Sequence, residues 1–133
     1  MTGEVLLNKI QAITRKDKRY DQEAYTFIYE ALDHARKQLA EPRHMSGHEL
    51  LESIKTVAIY KFGPFTKLVL NTWGIHKTED WGNVVFNMVN NDLLSKTDQD
   101  VIEDFQNGYD FDAVFSFEKT VDLSKMNVKK EEN

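Results

Sequence analysis

Between residues 24 and 39 the apolar side chains Ala24, Phe27, Ile28, Ala31, Leu32, Ala35 and Leu39 recur at steps of three and four. Only an α-helix gathers that spacing onto one face, so the stretch predicts a helix laid against a core. Asp21 is placed to cap it, and Glu23 suits the positive end of its dipole. The same step recurs along the chain: Val5, Leu6, Ile10 and Ile13; Leu50, Leu51, Ile54, Val57 and Ala58; Phe65, Leu68, Val69 and Trp73; Trp81, Val84, Val85, Met88 and Val89. The breaks fall between these groups. Pro42 stops the second helix and Gly63-Pro64 ends the third, with Pro64 opening the next. Gly74 closes the fourth, and Thr78 caps the fifth, with Glu79 and Asp80 in its first turn. Gly82 lies inside the fifth pattern, where glycine costs about 1 kcal/mol against Ala, so a close neighbouring backbone is expected there.

Beyond residue 91 the signals shorten. "DLLSKT" is compatible with a very short strand, and Thr97 with Asp100 marks a helix start ahead of Val101, Ile102 and Phe105. "GYDFDAVFSF" packs Tyr109, Phe111, Phe115 and Phe117 into a short acidic segment expected to cover the edge of the core. The predicted fold is therefore mainly α, a compact single-domain bundle of about five helices with little strand. The 65–97 order of helix, turn, helix and extended piece is compatible with a helix-turn-helix or winged-helix-like substructure. Residues 1–117 form the expected domain. Residues 118–133 are a polar tail expected to be flexible, in which the alternation of Val121 and Leu123 leaves a late edge strand open.

Composition narrows the function classes. A chain of 133 residues with 41% apolar content suits one globular domain. It has no cysteine, which excludes disulfides, thiolate metal sites and thiol catalysis. No apolar run approaches the roughly 20 residues that span a bilayer, and "MTGEVLLNKIQAITRK" reads as a helix and not as a signal peptide. A soluble, cytoplasmic protein is expected. The net charge of −5 is uneven: residues 78–118 hold one Lys and ten Asp/Glu, while residues 1–77 hold twelve Lys/Arg and nine Asp/Glu. The basic knot Arg15, Lys16, Lys18 and Arg19 is compatible with an anionic partner, but a solvated linker is the expected reading. The would-be recognition helix 78–90 contains no Lys or Arg, so phosphate contacts are excluded there and nucleic acid is not an expected partner.

"RHMSGHELLE" (43–52) nearly spells the zinc-protease motif His-Glu-x-x-His, with Glu52 where the second histidine belongs. His44, His48 and Glu52 are thus the candidate metal-ligating residues. The stretch has a simpler reading as a helix start. Ser46 and Glu49 make a capping box, and Met45 and Leu50 are spaced as a hydrophobic staple. "DQDVIEDFQNGYD" fails the calcium-loop pattern at its third ligand, its glycine and its last position. No nucleophile elbow, phosphate loop or dinucleotide fingerprint occurs, and no cofactor is expected.

The combination "RHMSGHELLESI", "WGI", "T.DWG..VF", "LLSKT..D", "EDF" and "YDFDAVF" resembles a family of small uncharacterised bacterial proteins of planctomycete and verrucomicrobial type. The resemblance covers about residues 19–116. It implies no activity, substrate or cofactor. It marks positions matching His44, Ser46, Gly47, Gly63, Trp73, Gly74, Asp80, Gly82 and Phe86, and it leaves His48 outside the pattern.

The leading expectation is a non-enzymatic interaction or accessory module for a protein partner. Its expected contact surface is the row Glu79, Asp80, Asn83, Asn87 and Asn90, beside the acids of 98–112. The second expectation is a small enzyme or metal-binding protein using His44, with Asp80 as its catalytic companion or His48 and Glu52 as co-ligands. The third is a winged-helix-like regulator. Self-association through the 109–117 aromatics is left open.

Overall fold

The computed structural model describes residues 2–95 and 102–121. These residues are mainly helical and contain no strand. In chain order the helices are α1 (Gly3–Lys16), α2 (Gln22–Lys37), α3 (Gly47–Phe62), α4 (Thr66–Thr72), α5 (Thr78–Asn90) and α6 (Phe111–Val114). Short 3₁₀ turns occupy Gly63–Phe65 and Ile102–Phe105. No helix among the described residues is long and apolar enough to cross a membrane.

The helix ends follow the local chemistry of the sequence. Asp21 accepts a hydrogen bond from the Glu23 N–H and caps α2. At α3 the Ser46 hydroxyl accepts from the Glu49 N–H while the Glu49 carboxylate accepts from the Ser46 N–H, which completes the capping box. Met45 and Leu50, the predicted staple pair, are both buried. Gly63 ends α3 at φ 51°, and Pro64 begins the 3₁₀ turn that follows.

Packing centres on α2 against α3, with α5 laid across them. Ser53 is buried and donates to the Ala31 carbonyl, so small residues bring α2 and α3 close. Phe27 of α2 lies 5.9 Å from Trp81 of α5 and 5.5 Å from Trp73. Trp73 in turn meets Phe62 edge-on at 5.6 Å. This aromatic cluster joins the ends of α3 and α4 to the middles of α2 and α5. The predicted inner stripe of α5 is seated as expected: Trp81, Val84, Val85 and Met88 are buried.

Phe105, in the 3₁₀ turn Ile102–Phe105, fills a notch made by two glycines. A Cβ on Gly82 would lie 2.9 Å from the Phe105 Cβ, and one on Gly47 would lie 2.9 Å from the Phe105 ring. A close neighbour at Gly82 is therefore present, but it is the Phe105 side chain from far downstream and not the neighbouring backbone that was expected. Thr78 holds the same turn in place by donating to the Phe105 carbonyl at 2.7 Å and accepting from the Gly108 N–H at 3.1 Å.

Four local expectations are corrected. Thr78 does not cap α5: its hydroxyl serves the 105–108 segment, and Asp80 instead accepts from the backbone N–H groups of His76 and Lys77. In α4 the inward residues are Thr66 and Leu70, while Phe65 and Leu68 are 63% and 65% exposed. The apolar residues of this seven-residue helix, Leu68, Val69 and Leu70, are consecutive and point three ways, so the period does not choose its face. Residues 92–95 form a turn with Asp92 at φ 60°, not a strand. Tyr109, Phe111 and Phe115 stack on one another at the core edge, but Phe117 is exposed. From 117 to 121 the chain is helical, with Thr120 buried by hydrogen bonds to the Ser116 and Phe117 carbonyls. The predicted helix start at Thr97 and Asp100 and the alternation ending at Leu123 lie outside the described residues.

The notch yields a test with an unusual sign. In an open helix Gly→Ala stabilises by about 1 kcal/mol. Gly82→Ala should instead destabilise by about 1–3 kcal/mol, because its methyl overlaps Phe105. In a Phe105→Ala background the same change should become neutral or stabilising. Urea denaturation of the four proteins measures this, and a stabilising Gly82→Ala in the wild-type background contradicts the packing.

Candidate functional site

His44, His48 and Glu52 do not come together. His48 projects from the first turn of α3 and approaches Asp104 at 3.6 Å. Glu52 is exposed and pairs with Lys55 at 2.9 Å. His44 lies in the loop before α3 and is exposed. Among the described residues no three metal-ligating side chains converge. The i,i+4 spacing does put His48 and Glu52 along one open groove between α2 and α3, but without a third ligand. Glu49, the residue that would act as general base in the protease motif, is taken by two jobs. It closes the capping box, and it receives both Nη atoms of Arg43 at 2.9 and 2.6 Å. The hydrogen bonds from Arg43 and from the Ser46 N–H hold the Glu49 carboxyl down at about 2.

The Asp80–Asn90 row is also put to a different use. Three of its five members point into the molecule. Asp80 Oδ1 accepts from the Tyr20 hydroxyl at 2.7 Å. The Asn83 amide donates to the same Tyr20 oxygen at 3.0 Å. The Asn87 amide donates both to Asp17 Oδ2 and to the Tyr25 hydroxyl, each at 3.0 Å. One helical face of α5 therefore reads the α1–α2 link and the start of α2. Burial raises the Tyr20 phenol to about 12, with the Asp80 carboxylate adding to the effect and Asn83 opposing it. Arg19, bidentate on Asp17, holds that carboxyl well below the usual range, and Asn87 contributes in the same direction. Glu79 approaches the Thr78 hydroxyl and the Asn107 N–H, and Asn90 alone of the five is fully on the surface. Asp80 has no hydrogen bond to His44, so the postulated catalytic pair is not formed.

Two features remain that the sequence reading did not single out. One is a partly open cavity of about 130 Å³ between α2, α3, α5 and Phe105, with His44 among its lining residues. The other is the α3–α4 corner, where Tyr60, Phe65 and Leu68 are 59%, 63% and 65% exposed. The cavity could not be read from sequence because its walls come from four separated segments. The corner does carry a sequence signal in the spacing of Phe65 and Leu68, but that spacing alone does not say which face turns outward.

Comparison of the chain with protein-family models, with curated proteins and with solved structures gives no match.

The inward use of the row predicts a contrast within it. Asn87→Ala removes the donor that serves Asp17 and Tyr25, and should cost about 1–3 kcal/mol of stability. Asn90→Ala should stay within about 0.5 kcal/mol of wild type. Equal effects in thermal or urea unfolding would contradict an internal role for Asn87.

Proposed function

We propose that this protein is a non-enzymatic interaction module that docks a protein partner on the apolar corner between α3 and α4. The observation that carries this reading is the exposure of Phe65 and Leu68. The two side chains are three positions apart at the start of α4, so they share one face of the helix. Thr66 and Leu70 are buried on the opposing side, and α4 is thus fixed with an apolar face outward. Tyr60 lies two positions before the end of α3, on the approach to the same corner, and is exposed as well. Scattered exposed apolar residues are ordinary, but an aromatic, a leucine and a tyrosine gathered at one corner match the composition of contact hot spots.

The charges beside the corner favour an apolar partner surface. Lys61 is paired with Glu30 at 2.8 Å, and Lys67 is paired with Asp112 of α6. Both cations next to the apolar residues are therefore neutralised within the chain. The earlier candidate surface, Asp80 with Asn83 and Asn87, is already hydrogen-bonded internally, and its use by a partner would require breaking those bonds.

Phe65→Ser/Leu68→Ser is the direct test. Both residues are exposed, so the melting temperature should move by less than about 3 °C. Cross-linking capture from native extract, read by mass spectrometry, should recover a partner with wild-type protein and lose it with the double variant. Undiminished capture by the variant would refute this surface.

A further inference from the structure

We propose that the cavity between α2, α3, α5 and Phe105 is a binding site for a small apolar carboxylate, with its tail in the cavity and its carboxylate on Arg36. This inference is independent of the α3–α4 corner.

The cavity has one apolar side, while Ser46, His44 and Ser95 make part of its lining polar. Leu32, Leu50, Val85 and Phe105 are buried residues that line the apolar side, and Val89 and Leu94 complete it. Its volume is about 130 Å³. An apolar protein cavity of roughly 150 Å³ accommodates a benzene-sized molecule and stays dry when empty. The space therefore suits a tail of about four to six carbons, whose transfer from water is favourable by about 0.8 kcal/mol per buried CH₂.

The rim is cationic. Arg36 and Arg43 both border the opening. The two differ in what they already hold. Arg43 is bidentate on Glu49, and its charge is matched. Arg36, in the last turn of α2, is exposed, and its guanidinium makes no hydrogen bond or ion pair among the described residues. A basic residue at this position complements the helix dipole without any ligand. Here it also stands over a cavity with an apolar side, and a planar guanidinium is well matched to a carboxylate. One available guanidinium beside a resident Glu49 carboxylate favours a singly charged anion over a phosphate. The cations on the rim disfavour an amine.

The test uses the intact ¹⁵N-labelled chain and three probes. Hexanoate has both the tail and the charge, hexanol has the tail alone, and acetate has the charge alone. Hexanoate should give saturable amide shifts confined to residues 32–36, 43–50 and 85–89. Acetate and hexanol should bind at least about tenfold more weakly. Arg36→Gln, at an exposed position, should fold normally, weaken hexanoate by at least about tenfold and leave hexanol unchanged. Hexanoate shifts that fail to saturate at millimolar concentration would overturn the proposal. Equal binding of hexanoate and hexanol, or hexanoate affinity that survives Arg36→Gln, would also overturn it.

Discussion

The short link between α1 and α2 is the constraint on which the arrangement of the other helices depends. Residues 17–21 are gripped from three directions. The Asp21 N–H donates to the Trp73 carbonyl at 3.0 Å, which ties the start of α2 to the end of α4. Gly74, at φ 88°, sits so close beneath the link that a Cβ would lie 2.0 Å from the Arg19 carbonyl oxygen. The α5 row then closes the third side through Tyr20 and Asp17. Each of these hydrogen bonds contributes on the order of 1 kcal/mol net, but leaving a half-buried partner unmade costs more than forming the bond gains. The link therefore acts as a polar lock that fixes α5 in rotation as well as position. With α5 fixed, its inner stripe meets Phe27 and its glycine meets Phe105.

That lock explains which parts of the structure were legible in the sequence. Helices, caps and stops are written in local chemistry. Asp21, Ser46 with Glu49, Gly63-Pro64 and Gly74 act within a few residues of where they stand, and each does what its position predicts. The inner faces of α2, α3 and α5 follow from the 3.6-residue period. Asn83 and Asn87 were not legible as internal residues. A polar row at helical spacing looks the same whether water or a tyrosine sixty residues away satisfies it. The face of α4 was not legible for a different reason, since its apolar residues Leu68, Val69 and Leu70 are consecutive and the period carries no direction. Phe105 was expected on a helix and stands in a 3₁₀ turn, and its glycine notch needed two sites distant in sequence to be brought together.

The same physics changes which surfaces are open to a partner. The acidic and amide-rich face of α5 was the expected contact surface, and the structure gives Asp80, Asn83 and Asn87 an intramolecular role. The near-motif at 43–52 resolves into a helix start whose would-be base is neutralised by Arg43. The fold leaves Phe65 and Leu68 exposed at the α3–α4 corner, and among the described residues it leaves the Arg36 guanidinium without a partner beside a cavity. The order α4, turn, α5 is the order a helix-turn-helix would need, in which α5 would be the reading helix. Its second helix, though, directs its hydrogen-bonding side chains into the link, where a DNA-reading helix would hold them toward base edges.

The measurement that bears most directly on this account is a double-mutant cycle between Tyr20 and Asp80, read by urea denaturation. Tyr20→Phe removes only the hydroxyl, and Asp80→Ala removes its acceptor along with the helix-start contacts. If the lock holds α5, the two changes should couple by about 1–2 kcal/mol, because the second loss matters less once the first has been made. Additivity within about 0.3 kcal/mol would mean that the two groups do not sense each other in solution, and the polar lock would then not be what positions α5.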